Sequence, residues 1–340
     1  MAKIAINGFG RIGRLFLRQA FELPDLEMVA INDLGDVENL AYLLRYDSVY
    51  GRFGHEVRVE GDHLVIDGKS IAFLQVKDPT QLPWGALGVD VAVEATGLFD
   101  LYERAKAHLA SGAKRVVITA PAKDEDGAEG QTVLMGVNEE KIKTCTITSN
   151  GSCTTNSASP VIRVLSEALG IQKAMLSTVH AYTSSQALVD SPVRSGHDFR
   201  KGRAAAQNIV PETTGAAISV ARAIPEVKGK FDGVSFRVPN ITGSLSSITV
   251  LTKRATTVEE IQKILSDAAA LPRWQGILKV TTDQLVSSDI VGEPYGAIVP
   301  LDLIKVVDGD LVNVLSWYDN EAGYVSTLVR HVQKAAAFIK

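Results

Sequence analysis

The chain has 340 residues and only two cysteines, Cys145 and Cys153, so a disulfide framework is excluded and at most one bridge is available. No cluster of Cys, His, Asp or Glu has metal-ligand spacing, and no metal is expected. No apolar run approaches the roughly 20 residues that a membrane span requires. Met1-Ala2-Lys3 leads directly into an apolar stretch with no hydrophobic leader, which sets the expectation of a cytoplasmic protein. Excess positive charge is also missing. A net charge of −4 argues against nucleic acid or an anionic membrane as partner. What remains is ordinary globular composition over a length sufficient for two domains with full cores.

The first positive signal is at the start. Lys3-Ile4-Ala5-Ile6 reads as a buried strand, and Asn7-Gly8-Phe9-Gly10-Arg11-Ile12-Gly13-Arg14 leads from it into a helix that runs toward Pro24. Gly8 allows the tight turn, Gly10 lets a pyrophosphate approach the backbone, and Gly13 lets helix and sheet pack closely. A second strand, 27–31, ends at Asn32-Asp33, and Asp33 lies 20 residues beyond Gly13, where an acid meets a ribose 2′-hydroxyl. A carboxylate there repels a 2′-phosphate, so the expected cofactor is NAD.

Strand-like and helix-like stretches alternate as far as residue 150. Strands are expected at 63–67, 70–74, 89–94 and 115–119, with helices at 36–44 and 102–110. That alternation implies a parallel sheet covered on both faces. Beyond it the pattern changes. Long strands at 175–180, 233–238 and 245–253 and helices at 214–224 and 258–269 suggest a largely antiparallel sheet, and 322–339 is helical again. Residues 184–202 read as a long ordered loop of the kind that often carries function. The expected fold class is α/β: an N-terminal Rossmann dinucleotide-binding domain with a parallel sheet, plus an α+β catalytic domain with a largely antiparallel sheet. The domains are set at 1–152, joined by a C-terminal helix within 318–340, and 153–317.

A reactive centre is expected at Ser149-Asn150-Gly151-Ser152-Cys153-Thr154-Thr155-Asn156. Apolar residues at helical spacing follow from Val161, and Gly170 supplies the stop. A helix N-terminus stabilises a thiolate through its partial positive charge and unpaired N–H groups, so Cys153 is the candidate nucleophile. His180, at the end of a strand in Ser177-Thr178-Val179-His180-Ala181-Tyr182-Thr183, is the candidate partner base.

These motifs, followed by Thr213-Thr214-Gly215-Ala216-Ala217, Phe236-Arg237-Val238-Pro239 and Trp317-Tyr318-Asp319-Asn320-Glu321, resemble those of the phosphorylating glyceraldehyde-3-phosphate dehydrogenases over the whole chain. The resemblance implies Cys153 as nucleophile and His180 as general base. It implies Gly8, Gly10, Arg11, Ile12, Gly13, Asp33, Thr119, Asn320 and Tyr324 as NAD-binding residues. Thr183 and Arg237 would bind the substrate's own phosphate, with Ser152, Thr154, Lys201, Thr214 and Gly215 completing the sites for substrate and inorganic phosphate. It further implies glyceraldehyde 3-phosphate and inorganic phosphate as substrates and a homotetramer. Two related readings stay open at this point, an erythrose-4-phosphate dehydrogenase and a non-catalytic NAD-responsive binding protein.

The sequence departs from the family pattern in three places. Ser157 stands where a second cysteine is usual. Ser184-Ser185 replaces a pair that usually includes an acid near the substrate phosphate. Arg200-Lys201-Gly202-Arg203 puts lysine where a phosphate-binding arginine is usual, with Arg200 and Arg203 as alternative candidates for its role. Lysine binds phosphate as a point charge, without the bidentate fork of arginine.

Overall fold

The computed structural model describes residues 1–193 and 196–339, so Arg194 and Ser195 of the polar loop, and Lys340, lie outside the described residues. The chain forms two compact units, 1–151 with 328–340, and 152–327. The C-terminal division falls within the helix Ala322–Ala336, not at 318. The cause is local: Asp319 accepts hydrogen bonds from the N–H groups of Ala322 and Gly292 and from the Thr242 hydroxyl, which ties the helix start to the second unit.

In the first unit the strands Ala2–Asn7, Leu26–Asn32, Lys69–Leu74, Val91–Glu94 and Arg115–Ile118 form the middle of a nine-stranded sheet. Ile4, Ala5 and Ile6 are all fully buried. A strand covered on both faces shows an unbroken apolar run and no alternation. The sheet is parallel from Gln131–Thr132 through Lys69–Leu74, and closes with His63–Ile66 and Val57–Glu60 antiparallel. It is therefore mixed, parallel up to Lys69–Leu74 and antiparallel beyond it. The reversal is made by Asp67-Gly68, both at positive φ, the backbone a two-residue hairpin turn needs. Residues 46–52 hold the small hairpin of Tyr46–Asp47 and Gly51–Arg52.

In the second unit an eight-stranded, largely antiparallel sheet runs in the order Val210–Thr213, Phe231–Val238, Ile171–Ala181, Ser244–Thr252, Leu311–Tyr318, Ala297–Pro300, Leu278–Thr281, with Lys305–Val307 on Leu311–Tyr318. The helices Cys153–Leu169, Ala216–Ala223 and Val258–Ala269 pack on it. The first of these is buried on most sides, holds Pro160 in its interior, and stops at Gly170, φ +67. The described flanks of the polar loop are held together by their own backbone: Ser191 N–H donates to Gly202 O at 2.8 Å, and Ala187 bridges to Ala204. Gly202 is required there, since a Cβ would lie 2.2 Å from Ser191 O.

Candidate active site

In the first unit, a cleft of about 290 Å³ opens at the C-terminal ends of the parallel strands, lined among others by Gly8, Gly10, Asn32, Asp33 and Thr96. Three glycines shape it in different ways. Gly8 turns at φ +97, and a Cβ on Gly13 would sit 2.1 Å from Gly8 O. At Gly10 nothing lies within 4 Å of a Cβ position, so the backbone there meets open space. Gly10 begins the helix Arg11–Ala20, and no side chain caps that end. An uncapped N-terminus behind an open backbone suits a pyrophosphate. Asp33 is held in place by Phe9 N–H at 2.6 Å and Gly35 N–H at 2.8 Å. Its fixed acceptors suit ribose hydroxyls, so these residues fit a dinucleotide. The Arg11 guanidinium pairs with Asp47 at 3.0 Å, and Arg11 stands at the helix start without lining the cleft. Ile12 and Gly13 follow it in the same first turn, and Thr119 closes the strand end two strands away, its N–H on Glu94 O.

Below the cleft lies a buried polar network. Glu94 accepts from Asn7 Nδ2 at 2.6 Å and from Thr96 N–H at 2.8 Å, and His108 Nε2 lies 3.0 Å away. Trp84 Nε1 donates to His108 Nδ1 at 3.1 Å, so Nε2 carries the His108 proton toward Glu94.

In the second unit, Cys153 is the first residue of its helix. Ser152 caps that helix reciprocally with Thr155, accepting the Thr155 N–H at 3.0 Å while its own N–H donates to Thr155 Oγ1 at 3.2 Å. Cys153 Sγ lies 3.3 Å from His180 Nε2. The helix start was expected to favour a thiolate. Instead, burial pushes the Cys153 thiol up, against the pull of the Arg237 charge and the Thr154 N–H. Burial, with help from Arg237, pushes His180 down to about 3. Desolvation is the largest influence on both groups: it holds His180 neutral and opposes the pull of the helix end on the thiol.

Strand register brings the cations in. His180 and Arg237 are direct partners on adjacent parallel strands, and Arg237 Nη1 lies 2.6 Å from His180 Nδ1 and 3.2 Å from Ala181 O. His180 Nδ1 is itself 2.7 Å from Ala181 O, so two tautomers fit. With Arg237 donating to Nδ1, the proton sits on Nε2; with Nδ1–H donating to Ala181 O, Nε2 presents a lone pair to sulfur. Glu212 accepts from Arg237 Nε at 2.8 Å and from Gln186 Nε2 at 2.8 Å, and Lys201 Nζ is 3.7 Å from it. Gln186 in turn accepts from Thr183 N–H at 2.8 Å. Of Arg200, Lys201 and Arg203, Lys201 alone is paired to this cluster. Arg200 and Arg203 are taken by Asp198 and Asp190.

Other expected residues are placed as follows. Thr154 Oγ1 meets the Tyr318 hydroxyl at 2.9 Å, and Thr178 meets it at 2.8 Å from the other side. Thr214 accepts the Ala216 N–H at 3.2 Å, with Gly215 capping the same helix. Asn320 Oδ1 accepts from Ser244 at 2.9 Å and Gly243 N–H at 3.2 Å, so its amide NH₂ is the group left to a ligand. Tyr324 is buried on the helix Ala322–Ala336. Both cysteines are free thiols, and the described residues hold no group of metal-ligating side chains. Sequence reasoning missed Tyr318, Gln186 and Glu212. For Tyr318 the signal was the motif that contains it; for Glu212, whose buried alternate position on a short strand only the structure shows, there was none.

The profile "Glyceraldehyde 3-phosphate dehydrogenase, NAD binding domain" matches residues 2–101, and "Glyceraldehyde 3-phosphate dehydrogenase, C-terminal domain" matches 152–320. The chain is 51% identical to a Thermotoga maritima protein named glyceraldehyde-3-phosphate dehydrogenase, over 97% of both chains. It is 47% identical to the Clostridium pasteurianum protein of that name over the full length of both. Identity to glyceraldehyde-3-phosphate dehydrogenase 3 of Saccharomyces cerevisiae is 43%, over 98% of this chain and 100% of that one. With a dinucleotide cleft in one unit and a capped cysteine paired to a histidine in the other, the chain belongs to the glyceraldehyde-3-phosphate dehydrogenase family.

Proposed function

We propose that this chain oxidises D-glyceraldehyde 3-phosphate with NAD and inorganic phosphate, giving 1,3-bisphosphoglycerate through a thioester on Cys153. The observation that carries the mechanism is the 3.3 Å approach of Cys153 Sγ to His180 Nε2 at the capped start of a helix. His180 is neutral, and drawing the Arg237 charge away from it removes one of the two causes that hold its proton affinity down. When the substrate's phosphate draws Arg237 to itself, Nδ1–H is left to Ala181 O and the Nε2 lone pair faces sulfur. As sulfur bonds to the aldehyde carbon, the thiol proton passes to Nε2 and the carbonyl oxygen takes the displaced electron pair. N–H groups at the helix start stabilise that oxyanion, which regains the proton from His180 as a thiohemiacetal hydroxyl. His180 then removes the hydroxyl proton while hydride leaves the carbon. NAD, when bound, supplies the acceptor for that hydride, and Asn320 would orient its carboxamide, with Tyr324 nearby. An oxygen of inorganic phosphate attacks the thioester carbon, the C–S bond breaks, and sulfur leaves with the electron pair as acyl phosphate departs. Ser152, Thr154, Lys201, Thr214 and Gly215 would hold that phosphate, and Thr183 and Arg237 the substrate's own.

We further propose a homotetramer in the cytoplasm. The face of the second sheet opposite His180 supports assembly: Met175, Val179, Val234 and Leu311 are large apolar residues left exposed along it. Among the described residues no helix is long and apolar enough to cross a membrane. Sedimentation velocity reads the assembly directly.

The test of the chemistry is NAD reduction with glyceraldehyde 3-phosphate, with and without inorganic phosphate, repeated on Cys153→Ser and with erythrose 4-phosphate as competitor. The expected outcome is phosphate-dependent turnover that falls at least about a thousandfold in the variant, while NAD affinity is kept. Turnover independent of phosphate would overturn the acyl-transfer step.

A further inference from the structure

We propose that Glu212 is a positioning residue for the phosphate-binding side chains, holding Arg237, Lys201 and, through Gln186, Thr183 in one preset arrangement. The inference deepens the substrate reading above and rests on it.

Glu212 stands on the short edge strand Val210–Thr213, whose antiparallel register sets Val210 opposite Arg237 and Glu212 opposite Ser235. Glu212 and Arg237 are therefore diagonal neighbours on one face of the sheet, within reach for long side chains. Glu212 is 6% exposed, and a carboxylate so buried persists only with partners that satisfy it. It has them on both oxygens: Oε2 accepts from Arg237 Nε at 2.8 Å, and Oε1 accepts from Gln186 Nε2 at 2.8 Å with Lys201 Nζ 3.7 Å away. Gln186 passes the constraint along. Its Oε1 accepts from both Thr183 N–H, at 2.8 Å, and Thr183 Oγ1, at 3.2 Å, and its Nε2 also donates to Ser185 Oγ at 3.0 Å. One carboxylate thus joins residues from four separate segments, three of them assigned to phosphate. It grips Arg237 by Nε and directs the far end of the guanidinium to His180 Nδ1. Only a rigid fork of donors serves two partners at once in this way.

Glu212→Gln keeps the volume but replaces one acceptor by a donor, so either Arg237 or Gln186 faces another donor. The experiment compares the variant on glyceraldehyde 3-phosphate and on unphosphorylated glyceraldehyde. The KM for the phosphorylated aldehyde is expected to rise about tenfold or more, the KM for NAD to stay within about twofold, and kcat/KM to fall several-fold less for glyceraldehyde than for the phosphorylated aldehyde. The KM for inorganic phosphate should rise less, because Lys201 is the more distant partner. Equal losses on both aldehydes would make Glu212 a general scaffold and overturn the proposal, as would an unchanged KM. If Glu212→Gln does not fold, Gln186→Met cuts the Thr183 link alone and must still raise the KM for the phosphorylated aldehyde selectively. A wild-type protein that turns over both aldehydes equally would instead remove the substrate reading, and this inference with it.

Discussion

The cleft of the first unit and the cluster of the second build their binding surfaces from opposite materials. The cleft is made of backbone: a φ of +97 at Gly8, a close approach at Gly13 and open space at Gly10, all within six consecutive residues. The cluster is made of side chains on segments far apart in sequence, with Cys153, His180, Lys201, Glu212 and Arg237 joined by strand register and charge. The buried acids show the same contrast. Glu94 is satisfied mainly by uncharged donors under the cleft, whereas Glu212 is held between two permanent cations. A surface made of backbone is sensitive to added atoms. One made of side chains is sensitive to changed charge.

The sharpest way to break that comparison lies in the glycines themselves. Gly13→Ala forces a Cβ to within 2.1 Å of a carbonyl oxygen, so it should destabilise the first unit by roughly 1–3 kcal/mol or more and abolish NAD binding. Gly10→Ala meets no atom within 4 Å and should leave the melting temperature nearly unchanged while weakening NAD affinity at least about tenfold. Thermal melts and NAD titrations on the two variants separate packing from ligand approach. Equal melting temperatures would refute the close-packing argument at Gly13.

A second prediction sharpens the comparison by acid. Each unit buries a neutral histidine, His331 between Thr148 and Asn150 in the first and His180 in the second, both pushed down to about 3 chiefly by burial. Below the usual histidine pKa of about 6.5, the unfolded chain takes up a proton at each site that the folded chain refuses. Stability is then fully present above about pH 6.5 and is lost as pH falls toward 3, by up to about 1.4 kcal/mol per pH unit for each histidine. Denaturant titrations between pH 7 and 5 on His331→Asn should show a shallower loss than the parent; an identical slope would rule the linkage out.

The smallest expected effect concerns Ser157, whose hydroxyl donates to Ser316 Oγ at 3.0 Å inside the second unit. Ser157→Cys should change kcat by less than about twofold and stability by about 1 kcal/mol or less, since a weak hydrogen bond is exchanged for a small apolar group. Steady-state kinetics and a melt check both.

The contrast also explains what the sequence revealed. A backbone site is written in adjacent letters, so the glycine motif, Asp33 and the helix Tyr102–Ala110 were all legible. The helix start around Cys153 was legible for the same reason, because the polar residues before it and the apolar spacing after it are neighbours in the chain; the cap at Ser152 was not identified. The strands Ala297–Pro300 and Leu311–Tyr318 were not identified, although the second alternates cleanly once its partners are known. The helix expected from Thr214 begins at Ala216, because Val210–Thr213 is claimed by Phe231–Val238 through long-range pairing. Glu212 was invisible on the same ground: its meaning depends on a residue 25 positions away that only register brings close. Local spacing reports the helix end at Cys153 but not the burial around it, which pushes the thiol the other way.

The hydroxyl of Ser157 has a consequence for oxidative damage. Residues four apart on a helix face each other, so a thiol at 157 would lie beside any oxidised Cys153 and trap it as a disulfide. With serine there, and the only other cysteine, Cys145, itself buried, a sulfenic acid on Cys153 has no thiol of its own helix to resolve it. Its rescue depends on a small thiol diffusing in before a second equivalent of peroxide carries the sulfur to the irreversible sulfinic state.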